Sequence, residues 1–210
     1  MDNAYIIGNT ILVDLDDVTA HFGEYISSRL SMRSGVKCGI EDYLTYEFNK
    51  YHDLGYDDFI DEVIISEAFR VIQPISGSIE ALAKFRELGY KVRIVTSRGA
   101  FKNALKDTTN WLNLHGATYD SIDVVNPNVE SKSDIYRKYK HEGIAALIDD
   151  ASHNLYDALA TGYVSQAICI TKPWNKDESR FVEGHTRFSK MLDFALHLEA
   201  IQKINSASVA

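Results

Sequence analysis

Five aspartates, a threonine and a serine stand where short apolar runs of this chain end, and a lysine stands at the start of a helical stretch. Ile11-Leu12-Val13 passes straight into Asp14-Leu15-Asp16-Asp17, and Ala145-Ala146-Leu147-Ile148 into Asp149-Asp150. Val92-Arg93-Ile94-Val95 stops at Thr96-Ser97, and Lys132 follows Ser131 at the start of a helical stretch. Residues two apart on a strand face the same way, so Asp14 and Asp16 can share one side of a sheet edge. Carboxylates set directly after buried apolar residues are costly unless a metal ion or a proton compensates them. Each residue also has a plain structural use. Thr96 could cap a turn, Asp149 and Asp150 could cap the next helix, and Lys132 with Lys138 and Lys140 could mark a solvated helix face. His153 reads as a first-turn helix residue. Nothing structural requires all of these groups at one sheet edge together.

The elements that must position them follow from periodicity. After Pro74 the pattern alternates between helix and strand. A helix capped by Ser78 runs through Ala81, Leu82 and Phe85 to Gly89, and a strand follows at residues 92–95. A helix with Phe101, Leu105, Thr108 and Leu112 on one face ends at His115-Gly116. Residues 122–125 form the next strand, Ser131 opens a helix through Ile135 and Tyr139, and residues 145–148 form a buried strand. One more helix leads to a final strand at residues 166–170, before Pro173. Such alternation predicts an α/β fold, a Rossmann-like doubly wound parallel sheet with helices on both faces. Residues 21–73 break the pattern, showing helical periodicity and no strand. They also hold nine aromatics: Phe22, Tyr25, Tyr43, Tyr46, Phe48, Tyr51, Tyr56, Phe59 and Phe69. The expected organisation is therefore a core of residues 1–20 and 74–210 with a helical cap, residues 21–73, inserted after the first strand. For most of these aromatics the cap's own interior is sufficient use.

Composition narrows the function classes. The chain has 210 residues, 45% hydrophobic and 25% charged, as in ordinary water-soluble globular proteins. A formal net charge of −8 with no basic block argues against an extended nucleic acid as partner. Cys38 and Cys169 match no metal or redox spacing and read as buried thiols in a reducing compartment. No apolar stretch approaches the roughly 20 residues of a membrane span, and the first residues lack a secretory pattern. The expectation is a cytoplasmic protein without membrane partners.

The four strand-end motifs, ILVDLDDV, VRIVTSR, ESKSD and AALIDD, resemble those of the haloacid dehalogenase superfamily of phosphohydrolases, in the same order and over nearly the whole chain. The resemblance implies that Asp14 is a nucleophile forming an aspartyl-phosphate. Asp16 would protonate the leaving oxygen and then serve as base toward water. Thr96, Ser97 and Lys132 would hold the transferring phosphoryl group. Asp14, Asp16, Asp149 and Asp150 would hold Mg²⁺, with Asp150 in direct contact and Asp149 behind it. Asp17 departs from the pattern, since many members have glycine there. It could pair with a cap residue, tune Asp16 or point to solvent.

A helical insertion after the first motif resembles the 5′(3′)-deoxyribonucleotidases and their bacterial and phage relatives. Phe22 stands eight residues after Asp14, where that family places an aromatic that stacks on the nucleobase; a place in the cap hinge is equally open to it. Tyr46 and Phe48 are further candidate platforms. Gln73-Pro74-Ile75-Ser76-Gly77, Thr96-Ser97 and Lys172-Pro173-Trp174-Asn175 add to the resemblance, while Arg98 replaces a residue that is often proline. The implied activity is Mg²⁺-dependent hydrolysis of small phosphate monoesters, nucleoside monophosphates foremost. The alternatives are a polynucleotide 3′-phosphatase of the same superfamily, whose helix Asp107–Leu112 resembles, or a catalytically silent phosphate-binding relative. A polymer substrate would favour a basic groove, which the charge does not offer.

Overall fold

The apolar runs become strands covered on both sides, which is why they read as continuous rather than alternating. The computed structural model describes residues 8–176 and 185–208. Its strands are β1 (Thr10–Val13), β2 (Lys91–Thr96), β3 (Ser121–Val124), β4 (Ile144–Asp149), β5 (Ala167–Ile170) and β6 (His185–Phe188). They form one sheet in the order β3-β2-β1-β4-β5-β6, and every neighbouring pair is parallel. β1 lies centrally, paired with β2 through Val13↔Ile94 and with β4 through Val13↔Ile148. The ends of these three strands, and with them Asp14, Thr96 and Asp149, therefore lie side by side.

The helices are α1 (Phe22–Ser34), α2 (Tyr56–Ile65), α3 (Ala68–Val71), α4 (Ser78–Glu87), α5 (Ala104–Leu114), α6 (Lys132–Tyr139), α7 (Ser152–Thr161) and α8 (Met191–Ala207). The pleat of β1 divides the core between two faces. Ile11 and Val13 pack with Leu82 and Phe85 of α4, Trp111 of α5 and Phe194 of α8. Leu12, on the other face, packs with Tyr136 of α6 and Leu155 of α7. Between β1 and β2 no strand intervenes. α1 to α3 and two short 3₁₀ turns gather a separate cluster around Ile26, Leu30, Tyr43, Phe48, Val63 and Phe69. This helical cluster lies in the segment that the sequence predicts to be a cap. The connections into and out of it run together, with the His21 amide donating to the Gln73 carbonyl at 2.9 Å.

Three sequence expectations are corrected. The strand at 167–170 is not the last, since β6 follows it as a half-buried edge strand. Leu105 is exposed rather than on the buried face of α5, which Ala104, Thr108, Trp111 and Leu112 provide. Ser78 does not cap its helix: Gly77, at φ +83°, precedes the first turn, and the Ser78 hydroxyl donates to the Thr19 carbonyl at 2.8 Å. Cys169 is buried in β5, but Cys38 is only partly so, and both are free thiols. Among the described residues no helix is long and apolar enough to cross a membrane.

Candidate active site

Asp14 is the first residue past β1, and its amide still donates to the Ile148 carbonyl of β4 at 2.9 Å. The chain then folds into a single helical turn, with Thr19 and Ala20 amides returning to the Leu15 carbonyl and the Thr19 hydroxyl to that of Asp14. Lys132 opens α6, one residue past an N-terminal cap in which Ser131 and Asp134 satisfy each other's backbone. That start aims its ammonium inward. Its Nζ lies 2.7 Å from Asp14 Oδ1 and 2.7 Å from Asp149 Oδ2. A lysine only 4% exposed is far from a solvated helix face.

Asp14, Asp149 and Asp150 present oxygens within 4.8 Å of one another, all three buried. One ammonium contacts two of them, Asp14 and Asp149. Burial pushes the Asp14 carboxyl well above the usual carboxylate range, with Lys132 opposing and Asp149 adding to the rise. Burial and then Asp149 do the same to Asp150. Burial also works against the Lys132 ammonium, yet Asp14 and Asp149 outweigh it and raise its pKa above the ordinary lysine value. Three hard oxygen donors short of positive charge fit a hard divalent cation such as Mg²⁺.

The acids of the pair differ. Asp149 is saturated: Lys132 Nζ, the Asn154 side-chain amide at 3.1 Å from both oxygens, and the Ala151 amide at 2.8 Å all donate to it. Asp150 receives the Trp174 indole N–H on Oδ2 at 2.9 Å. The Tyr46 hydroxyl lies 2.5 Å from the Asp150 carbonyl and 3.2 Å from Oδ2. Burial and Asp150 raise the pKa of that phenol well above its ordinary value, so it stays a donor. Asp150 Oδ1 accepts no hydrogen bond among the described residues.

Asp16 points elsewhere. Its two oxygens meet Arg98, Nη2 to Oδ1 at 2.5 Å and Nε to Oδ2 at 2.8 Å, and its carboxylate is not among the three clustered acids. Arg98 is 1% exposed, with its guanidinium carbon 4.1 Å from the centre of the Phe69 ring of α3. Gly99 lets this turn press on the end of β3, since a Cβ there would sit 2.6 Å from the Asn126 amide nitrogen. Asp17 does pair with the cap. At φ +59° it turns its carboxylate onto the Gly23 amide of α1, 2.9 and 3.0 Å from the two oxygens. The left-handed backbone costs on the order of 1 kcal/mol in a non-glycine residue, and a hydrogen bond to a charged group offsets it with about 1.5–3 kcal/mol. Burial pushes the Asp17 carboxyl up to about 7, against Lys172 and the Gly23 hydrogen bond.

These groups floor a cavity of about 360 Å³. Asp14, Asp16, Ser97, Lys132 and Asp150 line its polar side, while Phe22, Tyr46, Phe48, Tyr56, Phe59 and Phe69 line the other. Thr96 does not reach the cavity wall. It is fully buried, and its hydroxyl has no hydrogen-bond partner among the described residues. Phe22 is both wall and packing, stacked on Phe69 at 5.8 Å and edge-on to Phe59 at 6.3 Å. Sequence reasoning missed the roles of Arg98, Asn154 and Trp174. Arg98 and Trp174 stood in the motifs, but only the tertiary contacts show what they touch.

Comparison with known proteins agrees with this geometry. Residues 8–192 match the family model described as 5′ nucleotidase, deoxy (Pyrimidine), cytosolic type C protein. A Chlorobaculum tepidum protein assigned as a 5′(3′)-deoxyribonucleotidase is 29% identical over 85 residues, 39% of this chain and 42% of that protein. The match thus spans less than half the length of that relative. Among solved structures, a haloacid dehalogenase-like hydrolase from Streptococcus pneumoniae superposes with a TM-score of 0.59 at 18% identity, over 91% of this chain and 98% of the other. CbbY from Rhodobacter sphaeroides, solved with phosphate, gives 0.57 at 15% identity, over 89% and 96%. At these identities the structures share the fold. The family match runs from two residues before β1 into the start of α8, and the chain belongs to the cytosolic type C deoxy-pyrimidine 5′-nucleotidase family.

Proposed function

We propose that this protein hydrolyses small phosphate monoesters, with (deoxy)nucleoside monophosphates as substrates, through an aspartyl-phosphate on Asp14. The observation that carries this is the Asp14 carboxylate at the floor of an aromatic-walled cavity, 2.7 Å from a buried lysine. Asp14, Asp150 and, behind them, Asp149 are the residues that would hold Mg²⁺. When bound, the cation neutralises phosphoryl charge and lowers its repulsion from the nucleophile.

In the first half-reaction an Asp14 oxygen attacks phosphorus, and the bond from phosphorus to the ester oxygen breaks. That oxygen takes a proton from Asp16. In the second, Asp16 removes a proton from water, the water oxygen bonds to phosphorus, and the Asp14–phosphorus bond breaks to release inorganic phosphate. Lys132 and Ser97 hold the phosphoryl oxygens as charge develops. Thr96 becomes a further donor for them once its side chain turns toward the cavity. Arg98 must release one oxygen of Asp16 before it can carry a proton. Residues 21–73 act as the cap on a core of residues 1–20 and 74–210, excluding water while the aspartyl-phosphate exists. Phe22 and its aromatic neighbours offer the base a stacking face.

A panel of phosphate esters tests this, assayed with Mg²⁺ and with EDTA. Nucleoside monophosphates should show the highest kcat/KM, above sugar phosphates and 3′-phosphorylated oligonucleotides, and EDTA should silence all of them. Preference for the oligonucleotide would assign a polynucleotide 3′-phosphatase. Release from none of them would assign a silent relative.

A further inference from the structure

Trp174 belongs to two structures at once. It lies in the 3₁₀ turn Pro173–Asn175 after β5, yet its side chain, 4% exposed, is buried in the cap's cluster with Ile26, Leu30, Tyr43, Phe48 and Phe69. Its ring lies 5.2 Å from that of Phe48 and 5.4 Å from that of Tyr46. Helix α1 reaches it through Gly23, where a Cβ would stand 3.1 Å from the indole. The same indole donates its N–H to Asp150 Oδ2 at 2.9 Å. Tyr46, from the loop between the two 3₁₀ turns of the cap, reaches the Asp150 carbonyl and the same Oδ2. The Asn175 side-chain amide fastens the Asp150 carbonyl at 2.8 Å and that of Ile170 at 2.9 Å. Asp150 is thus positioned by groups whose own places depend on cap packing, with Oδ1 left free of hydrogen bonds.

We propose that Trp174 and Tyr46 are positioning residues that couple the interior packing of the cap to cation binding at Asp150. Groups that orient a metal-binding carboxylate commonly govern affinity by roughly 10- to 100-fold. Here Tyr46 comes from the cap segment, and the Trp174 side chain is buried among that segment's residues. Coupling of this kind is reciprocal. A well-packed cap orients Asp150 for the cation, and a bound cation fixes Asp150 and so holds Trp174, Tyr46 and α1 in place. The cap would then settle on the core most firmly when the site is loaded. This rests on the proposed cation site.

The test needs no turnover. Mg²⁺ binding to the full chain is measured by titration calorimetry for the wild type, Tyr46→Phe, Trp174→Phe and Phe48→Leu. Phe48 packs against Trp174 and its side chain can hydrogen-bond to no acid, so a purely local role for Trp174 would leave its variant unaffected. Tyr46→Phe and Trp174→Phe should weaken Mg²⁺ binding by roughly tenfold or more, and Phe48→Leu by about fivefold or more. Hydrogen exchange of α1 in the wild type, which does not depend on any variant folding, should slow when Mg²⁺ is added. Wild-type binding of Mg²⁺ with unchanged α1 exchange, or with wild-type affinity in Phe48→Leu, would overturn the coupling and leave the cation site standing. Absence of Mg²⁺ binding in the wild type would overturn the cation site and the coupling with it.

Discussion

Arg98 grips Asp16 through both carboxylate oxygens, at 2.5 and 2.8 Å, while its guanidinium lies against the Phe69 ring. The end of β2, the turn after β1 and the cap are joined by one side chain. A bidentate fork of this kind is strong and directional, and the burial of Arg98 shields its side of the pair from water. Asp16 is therefore held in one orientation until Arg98 gives way, and Phe69 ties that release to the position of α3.

Arg98→Lys keeps the charge but cannot reproduce the fork. Turnover of a nucleoside monophosphate should fall about tenfold or more, since a misdirected acid loses part of the ~10²–10⁴-fold that proton transfer contributes. p-Nitrophenyl phosphate should lose much less, because its leaving group departs without a proton. Steady-state kinetics on both esters decide the matter; equal losses would remove Asp16 from the acid's role.

Asp149→Asn and Asp150→Asn should fail differently. Asp149 carries hydrogen bonds from Lys132, Asn154 and the Ala151 amide, so its loss should lower thermal stability more. Asp150→Asn should raise the Mg²⁺ concentration needed for half-maximal activity more. Melting curves and Mg²⁺ titrations on the two variants check this, and the reverse order would exchange their roles.

The metal-free protein should lose stability as pH rises from about 4 toward about 7. Asp17 is raised from its ordinary 3.8 to about 7 by burial. Across that window the folded state holds a proton that the unfolded chain has released, so stability is fully present below the lower value and declines as pH passes toward the upper. Asp14 and Asp150, raised for the same first cause, act in the same sense. Asp17→Asn should flatten the decline in Tm between pH 4 and 8; an unchanged slope would contradict this account of Asp17.

Phe22→Ala separates stacking on a base from packing in the cap. Loss of about 1.4 kcal/mol of stacking would cost a nucleotide roughly tenfold in kcat/KM. p-Nitrophenyl phosphate should be much less affected. Because Phe22 also packs on Phe69 and Phe59, Tm should fall as well. Equal kinetic losses on both esters would make packing its whole role.

Much of the fold was legible because parallel strands buried on both faces read as unbroken apolar runs, and a polar residue ends β2 and β4 and directly follows β1. β6 was not legible, because His185-Thr186-Arg187-Phe188 is a half-buried edge with no apolar run. Leu105 misled because the helix begins only at Ala104 and Trp111 takes the buried position. At the site, Asp14, Lys132, Asp149 and Asp150 were legible from strand ends and do come together. The Arg98–Asp16 and Trp174–Asp150 contacts join residues 82 and 24 apart, and no local periodicity encodes such distances. Asp17 was visible as a departure, but its pairing with Gly23 appears only once α1 is in place.

Asp14→Asn tests the central claim most directly. The change is nearly isosteric and removes a charge from a crowded acidic group, so the variant should fold at least as stably as the wild type. With Mg²⁺ and a nucleoside monophosphate, wild-type protein quenched in acid should carry phosphate on the peptide containing Asp14, detected by mass spectrometry. The variant should carry none and release no phosphate above background. Near wild-type kcat in a folded, uncontaminated Asp14→Asn protein would contradict the aspartyl-phosphate mechanism outright.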